Sequence, residues 1–184
     1  MRGKPKNNGL WGLIADMPEN VIMAEVGCYA GESTVMFLSS GKIKKLYAID
    51  PWSTDYDHSD DPVSGCLEST KTMRMVYDDI PLAEAMFDAN VMDNNKNVVK
   101  MKMTLDEAFD DLPPLDMIYI DGDHKYQAVV NDIVLAKKIV KKGGWITGHD
   151  YNVQHPGVIK AVNELFDINK VRFYLDASWM FINE

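Results

Sequence analysis

Acidic and histidine side chains follow two predicted strands of this chain. Leu115–Ile120 and Trp145–Thr147 are short apolar runs typical of buried strands, and they are followed by Asp-Gly-Asp-His and Gly-His-Asp. Because adjacent parallel strands end at the same edge of a sheet, the residues after them should meet there. A histidine can accept a proton near neutral pH, so this edge could carry acid–base chemistry. The ionisable groups concerned are Asp121, Asp123, His124, His149 and Asp150.

A glycine-containing turn follows the first predicted strand, Val21–Val26. Gly27 and Gly31 lie four residues apart, and a helix should begin at Ser33 and Thr34. Glycines let a ligand approach the main chain closely, and the first N–H groups of a helix point towards such a ligand. The turn therefore predicts a nucleotide-like ligand, although a strand-to-helix turn of this kind can also be purely structural.

The glycine spacing separates two such ligands. A dinucleotide-binding turn has the pattern G-x-G-x-x-G, and Tyr29 stands where its second glycine would make room for a pyrophosphate. Asp50 follows the predicted strand Leu46–Ile49, at a position where a carboxylate accepts hydrogen bonds from the ribose hydroxyls of an adenosine. Together the two features favour an adenosine-containing ligand without a pyrophosphate. An aspartate that only caps the following proline turn remains an alternative.

The elements that would hold these residues alternate between strand and helix in a single domain of 184 residues. The predicted fold class is α/β: a Rossmann-like, doubly wound seven-stranded sheet, mostly parallel, with an antiparallel C-terminal hairpin. The pattern predicts strands over Val21–Val26, Leu46–Ile49, Val98–Met103, Leu115–Ile120, Trp145–Thr147, Val171–Leu175 and Trp179–Ile182. It predicts helices over Leu10–Met17, Ser33–Ser40, Leu82–Met92, Leu105–Leu112, Tyr126–Val140 and His155–Phe166.

Several segments resemble the class I S-adenosylmethionine (SAM) methyltransferases, and the resemblance extends from Val21 to Phe181. Glu-x-Gly-x-x-x-Gly, from Glu25 to Gly31, is similar to their first motif, and Ala-Ile-Asp-Pro-Trp (48–52) is similar to the end of their second strand. The pair Leu-Asp-Met-Ile-Tyr-Ile-Asp-Gly-Asp-His (115–124) and Gly-His-Asp-Tyr (148–151) resembles the members that methylate catechols, sugars and macrolides with a divalent metal. The resemblance implies transfer of a methyl group from SAM to a hydroxyl of a small molecule.

The resemblance also implies roles for individual residues. His124 would be the catalytic base, and Thr104 would lie beside the adenine, although its hydroxyl followed by Glu107 equally fits a helix-capping box. The implied ligands of Mg²⁺ or Mn²⁺ are Asp121, His149 and Asp150. The implied cofactor-binding residues are Glu25, Gly27, Tyr29, Gly31, Thr34, Asp50, Trp52, Thr104 and Asp121.

One residue departs from the pattern of these methyltransferases. The first of the paired ligands after the fifth strand is usually an acid, whereas here it is His149. Imidazole suits Mn²⁺, Fe²⁺ or Zn²⁺ better than Mg²⁺. Three interpretations of the two strand ends therefore stay open: a metal site, metal-free transfer with His124 or His149 as base, and a purely structural pair.

The composition argues against several classes of partner. The net charge of −9 disfavours nucleic acid and anionic membranes. No apolar run reaches the roughly 20 residues that cross a bilayer, and two cysteines cannot make a four-cysteine zinc site. We therefore expect a cytoplasmic enzyme acting on a small hydroxylated molecule, whose active-site mouth a second subunit of a homo-oligomer could close. An NAD(P)-linked oxidoreductase and a non-catalytic SAM- or nucleoside-binding protein are the alternatives.

Two further regions have weaker signals. The segment 53–80 is rich in aspartate and has little periodicity, and we interpret it as a substrate lid. Its acidic cluster lacks the glycine and the terminal glutamate of an EF-hand, so a calcium loop is not expected. His155 opens the last predicted helix, and we interpret it as a loop residue and not as a ligand.

Overall fold

The computed structural model describes residues 4–54 and 79–184 of the chain. Most of the predicted lid, together with its acidic cluster, lies outside the described residues. Within them, no helix is long and apolar enough to cross a membrane.

Strands and helices alternate along the described chain. The helices are α1 (Lys4–Asp16), α2 (Glu32–Ser39), α3 (Ile80–Asn90), α4 (Leu105–Ala108), α5 (Tyr126–Ile139) and α6 (Pro156–Leu165). The strands are β1 (Val21–Val26), β2 (Ile43–Ile49), β3 (Val98–Met101), β4 (Leu115–Ile120), β5 (Val140–Gly148), β6 (Arg172–Phe173) and β7 (Trp179–Ile182). Short 3₁₀ turns follow α3, α4 and α6, over Met92–Asn94, Phe109–Asp111 and Ile168–Lys170.

The strands form one seven-stranded sheet in the order β3-β2-β1-β4-β5-β7-β6. The first five strands are parallel, and β7 is antiparallel to both β5 and β6. This topology confirms the predicted fold class, including the antiparallel hairpin at the C-terminal edge.

Two apolar cores, one on each face of the sheet, explain why its central strands are so hydrophobic. In β1 and in β4, every residue except the second is buried. Helices α4, α5 and α6 cover one face, with Ile133 and Ala161 among the buried side chains. Helices α1, α2 and α3 cover the other, with Phe37 and Phe87 among them. Strands covered on both faces read as continuous apolar runs, which is why β1 and β4 were predicted with their observed bounds.

The predicted strand bounds were wrong mainly where lysines are the second and third residues of a strand. Strand β2 begins at Ile43, three residues before the predicted Leu46, because Ile43 already pairs with Val21 of β1. Strand β5 likewise begins at Val140, the last residue of the predicted helix, and includes the segment Lys141–Gly144 before the predicted strand. Here Gly143 N–H donates to the carbonyl of Asn183, 2.7 Å away. Sheet pairing therefore extends over charged residues that a hydrophobic pattern leaves out.

Two smaller predictions also differ from the structure. The predicted helix Leu10–Met17 begins earlier, at Lys4 of α1, and its apolar residues do not all face the core: Leu10, Leu13 and Ile14 are buried, whereas Trp11 is 43% exposed. Strand β6 has only two residues instead of the predicted five, from Val171 to Leu175. The chain leaves it in a tight turn, in which Ala177 N–H donates to Tyr174 O and Ala177 itself has a left-handed φ of 71°.

Candidate functional site

The carboxyl ends of four neighbouring strands form one edge, which we call the carboxyl rim: the residues immediately after β2, β1, β4 and β5. The sheet's hydrogen bonds continue one step into this edge. Gly27 N–H donates to Ile49 O at 2.9 Å, Asp121 N–H to Val26 O at 2.8 Å, and His149 N–H to Ile120 O at 3.0 Å. The main chain therefore sets the predicted site residues side by side.

The glycine turn, Gly27 to Gly31, needs both of its glycines for geometric reasons. Each has a left-handed φ of 85°, which costs other residues more than glycine. A Cβ on Gly27 would lie 2.1 Å from the carbonyl oxygen of Asp121, and a Cβ on Gly31 would lie 2.6 Å from Cγ2 of Val91. These contacts account for the glycines without a ligand, so cofactor binding by the turn stays a prediction.

Asp50 holds the glycine turn through the main chain. Its Oδ2 accepts a hydrogen bond from Tyr29 N–H at 2.9 Å, and its Oδ1 accepts one from Trp52 N–H at 2.7 Å. Tyr29 and Trp52 both have left-handed φ angles, of 48° and 40°, which these bonds stabilise. Burial raises the pKa of Asp50, and the same hydrogen bonds oppose the rise. Asp50 thus caps its turn through main-chain N–H groups, and its contact with a ribose stays a prediction.

Three of the predicted cofactor-binding residues have buried side chains. Glu25 and Thr34 are fully buried, and Thr34 Oγ1 donates a 2.6 Å hydrogen bond to Glu25 Oε2. Trp52 is 5% exposed, its Nε1 donates to Tyr29 O at 2.9 Å, and its ring packs 5.0 Å from that of Phe87. These buried side chains support the glycine turn. They would therefore affect cofactor binding through the shape of the turn and not by direct contact.

Thr104 forms the capping box that its sequence allows. Its Oγ1 accepts a hydrogen bond from Glu107 N–H, while Thr104 N–H donates to Glu107 Oε2 at 2.8 Å. The side chain is exposed at the start of α4. The capping prediction is confirmed, and the contact with adenine stays a prediction.

Next to the glycine turn on the rim lies a group of acids and imidazoles that we call the ion cluster: Asp121, His124, His149, Asp150, His155 and Asp176. His149 Nδ1 lies 3.4 Å from Asp121 Oδ1 and 3.2 Å from Asp150 Oδ2. One ligand atom from each of these three residues lies within 4.8 Å of the other two, close enough for one metal ion to contact all three. The structure thus brings the three predicted metal ligands together.

His124, the predicted base, lies on the other side of the same carboxylate. Its Nε2 is 2.9 Å from Asp150 Oδ2. Asp150 has a left-handed φ of 59°, an uncommon conformation for a residue with a side chain, and it places the carboxylate between His124 and His149. Asp123 lies nearby in the same loop, where its Oδ1 accepts a hydrogen bond from Lys125 N–H at 2.8 Å. All five rim residues predicted to converge therefore belong to one neighbourhood.

Two members of the ion cluster were missed in the sequence. His155 was expected to be a plain loop residue, but its Nε2 lies 3.6 Å from Asp150 Oδ1 and its ring is 4.1 Å from that of His124. The side chain of Asp176, in the β6–β7 turn, is 1% exposed, and its Oδ2 lies 3.8 Å from His149 Nε2. A topological signal existed for Asp176: β7 is antiparallel to β5, so the turn before β7 lies where β5 ends.

Charges within the ion cluster shift two pKa values in opposite directions. Burial alone would lower the pKa of His149, but the carboxylates of Asp121 and Asp150 raise it to about 10. Burial alone would raise the pKa of Asp150, but His124 and His149 hold it well below its usual range. The cluster therefore contains a stable imidazolium–carboxylate arrangement. On α5, burial and the charge of Asp123 raise the pKa of Asp132 to about 7.

The sheet order, with five parallel strands and an antiparallel C-terminal hairpin, is that of a Rossmann-like fold. Residues 24–151 match the model of a family described as a methyltransferase domain, and the chain belongs to that family. It is 31% identical over 154 residues to the uncharacterised protein R132 of Acanthamoeba polyphaga mimivirus, a match that covers 80% of this chain and 60% of that protein. The chain thus spans about 60% of the length of this relative.

Solved structures share the fold at low sequence identity. An rRNA methylase of Streptococcus thermophilus has a TM-score of 0.59 and 15% identity, covering 98% of this chain and 95% of its own. A SAM-dependent O-methyltransferase of Thermotoga maritima has a TM-score of 0.57 and 16% identity, covering 91% of this chain and 52% of its own. At these identities the likeness extends to the fold alone.

Proposed function

We propose that this protein is a SAM-dependent methyltransferase that transfers a methyl group to a hydroxyl of a small molecule. Membership of a methyltransferase-domain family supports methyl transfer over an NAD(P)-linked oxidation. The observation that carries the proposal is the close approach of the glycine turn to the ion cluster, where a Cβ on Gly27 would lie 2.1 Å from Asp121 O. A cofactor held at the turn would therefore lie next to groups that can accept a proton.

The ion cluster supplies the base that this reaction needs. Bound SAM provides a methyl group that its sulfonium already activates. The chain must align the acceptor oxygen and take up its proton. His124 suits this task because Asp150 Oδ2, 2.9 Å from His124 Nε2, fixes the ring and stabilises the charge it gains on protonation. With Nε2 turned towards Asp150, Nδ1 is the nitrogen that accepts the proton.

Asp121, His149 and Asp150 would hold a divalent metal in this proposal. Their mutual distances fit one ion, and two carboxylates with one imidazole suit Mn²⁺ better than Mg²⁺. A bound ion would lower the pKa of the acceptor hydroxyl and fix its position. His149 must release its proton before it can act as a ligand, because its pKa is raised to about 10.

Metal-independent transfer is the second candidate, and the position of His149 favours it. A protonated His149 lies between Asp121 and Asp150, 3.4 Å and 3.2 Å from their nearest carboxylate oxygens. An imidazolium there balances the two negative charges without a metal. His124 would still serve as the base.

Titration calorimetry with SAM and, separately, with NAD⁺ tests the cofactor. We expect micromolar binding of SAM and no heat from NAD⁺, whereas binding of NAD⁺ alone would overturn the proposal. Labelled SAM should then methylate members of a panel of catechols, sugars and polyketides, and their deoxy analogues should stay unlabelled. Methylation of amines or RNA instead would overturn the acceptor class and leave methyl transfer intact.

Removal of metal separates the two candidates. With an active acceptor in hand, turnover is compared before and after treatment with EDTA, and after adding back Mn²⁺ or Mg²⁺. The metal-assisted reaction predicts a loss that Mn²⁺ restores in the wild type and does not restore in Asp121→Asn. Unchanged turnover in EDTA favours the metal-independent reaction.

A further inference from the structure

All three histidines among the described residues lie in the ion cluster, and two of them flank one carboxylate. Asp150 Oδ2 lies 2.9 Å from His124 Nε2, and its Oδ1 lies 3.6 Å from His155 Nε2. One ligand atom from each of these three residues lies within 4.8 Å of the other two. This second group shares only Asp150 with the group formed by Asp121 and His149.

The main chain fixes the spacing of this second group. His155 is the residue before α6, and Pro156 begins that helix. The next residue is Gly157, where a Cβ would lie 2.4 Å from the carbonyl oxygen of His124, so the start of α6 rests directly on the His124 loop. His155 N–H also donates to Asn152 O at 3.0 Å. Backbone packing therefore holds together the two loops that carry the imidazoles.

The shared carboxylate is oriented as well. Asn152 Nδ2 donates to Asp150 Oδ1 at 3.3 Å, and Asn152 N–H donates to Asp150 O at 2.8 Å. Groups that orient a ligand in this way increase metal affinity because less ordering is needed on binding.

We propose that His124, Asp150 and His155 form a separate binding site for a transition-metal ion of the Zn²⁺ class, and that its occupation inhibits the enzyme. Two imidazoles and one carboxylate are a ligand set that Zn²⁺ and Co²⁺ prefer and that Mg²⁺ does not. The group of Asp121, His149 and Asp150 has the opposite balance, with two carboxylates and one imidazole. With one more imidazole, the group of His124, Asp150 and His155 is therefore the better Zn²⁺ site of the two, although both groups need Asp150.

Inhibition follows from the part that His124 takes in the proposed function, on which this half of the inference rests. A metal held between His124 Nε2 and Asp150 would leave the proton of the ring on Nδ1, so His124 could no longer take up the acceptor proton, and Asp150 would be withdrawn from the other metal group. Zn²⁺ at this site would thus stop turnover while leaving the glycine turn, and hence SAM binding, unchanged.

Binding of Zn²⁺ and the visible absorption of Co²⁺ test the site without any need for turnover. We expect one Zn²⁺ per chain in the wild type, and an intense Co²⁺ spectrum of low coordination number. His155→Ala and His155→Gln should each weaken Zn²⁺ binding at least about 10-fold, since loss of even an orienting group costs 10–100-fold. The matched control His149→Gln, which removes an imidazole from the other group, should keep the wild-type Zn²⁺ affinity.

Equal Zn²⁺ affinity in the wild type and both His155 variants would overturn the site. Loss of affinity in His149→Gln with none in the His155 variants would assign the ion to the other group and also overturn it. In the turnover assay, inhibition by Zn²⁺ should have the same midpoint as binding, and His155→Ala should shift both by the same factor. Zn²⁺ bound at His155 without inhibition would contradict the regulatory half alone, and absence of methyl transfer in all conditions would contradict the proposed function.

Discussion

The two halves of the carboxyl rim are held together by different means. The glycine turn is fixed by the main chain: Asp50 accepts N–H groups of Tyr29 and Trp52, and Gly27 lies directly against the carbonyl of Asp121. The ion cluster is fixed by side chains that come from the ends of β4 and β5, the start of α6 and the β6–β7 turn. One half is therefore a backbone structure and the other a balance of charges.

This difference separates the expected effects of substitution. Changes in the glycine turn should act through folding and cofactor affinity, because they alter the path of the main chain. Changes in the ion cluster should act on turnover and metal binding while the fold persists, because the sheet already sets the positions of the strand ends. A substitution in the ion cluster that unfolds the protein, or one in the glycine turn that changes turnover alone, would show that the two halves are not distinct.

Gly27→Ala should have the largest effect. The new Cβ would lie 2.1 Å from Asp121 O at a φ of 85°, so the ends of β1 and β4 must separate. We expect a loss of about 3–5 kcal/mol in the free energy of unfolding, in the range of severe steric substitutions, measured by urea denaturation.

Gly143→Ala is the matched control. Gly143 has a similar φ of 78°, but a Cβ there has no atom within 4 Å. This variant should lose only about 1 kcal/mol from the backbone conformation. Equal losses in the two variants would mean that the contact with Asp121 contributes nothing and that the halves of the rim are not tightly packed.

His124→Ala should have the next largest effect, on turnover alone. Loss of the base should lower kcat at least about 100-fold, the usual size of a general-base contribution. The affinity for SAM should change little, since His124 lies in the ion cluster and not in the glycine turn. Steady-state kinetics with an active acceptor, and calorimetry with SAM, measure the two quantities; unchanged turnover would remove His124 from the mechanism.

The same division explains what the sequence predicted well. Strands β1 and β4 were predicted with their observed bounds because both faces are covered and their apolar runs are continuous. The glycine turn was recognised because its determinants are contiguous in the sequence. The convergence of Asp121, His124, His149 and Asp150 followed from one rule of sheet topology, since all of them directly follow parallel strands.

His155 and Asp176 were missed because their positions depend on tertiary packing. His155 reaches Asp150 only because Gly157 lets the start of α6 rest on the His124 loop, a contact that no local pattern encodes. Asp176 lies beside His149 because β7 runs antiparallel to β5. The turn that carries Asp176 has no glycine to mark it in the sequence. Side-chain clusters drawn from distant segments are thus harder to predict than turns whose residues are adjacent.

Helix α5 carries a further acidic residue, Asp132. The substitution Asp132→Asn should have a smaller, pH-dependent effect on the free energy of unfolding. The pKa of Asp132 is raised from 3.8 to about 7, so between these values the folded protein binds a proton that the unfolded chain has lost. Wild-type stability should therefore fall as the pH rises from about 4 to about 7.

Asparagine has no such charge, so Asp132→Asn should be more stable than the wild type at pH 8 by about 1–3 kcal/mol, less than the full shift implies because the site can relax. The advantage should disappear at pH 4. Urea midpoints at the two pH values measure it, and a pH-independent difference would contradict the burial of this charge.

Thr104→Ala should have the smallest effect, and it tests the glycine-turn half of the rim for a ligand. Loss of the capping hydroxyl should cost about 1 kcal/mol in the free energy of unfolding, and Thr104→Ser should keep most of it. Because this hydroxyl already bonds to Glu107, we expect nearly equal SAM affinity in both variants. A weaker affinity in the alanine variant than in the serine variant would mean that the hydroxyl also contacts the adenine. In that case a side chain, and not the main chain alone, would define the cofactor half.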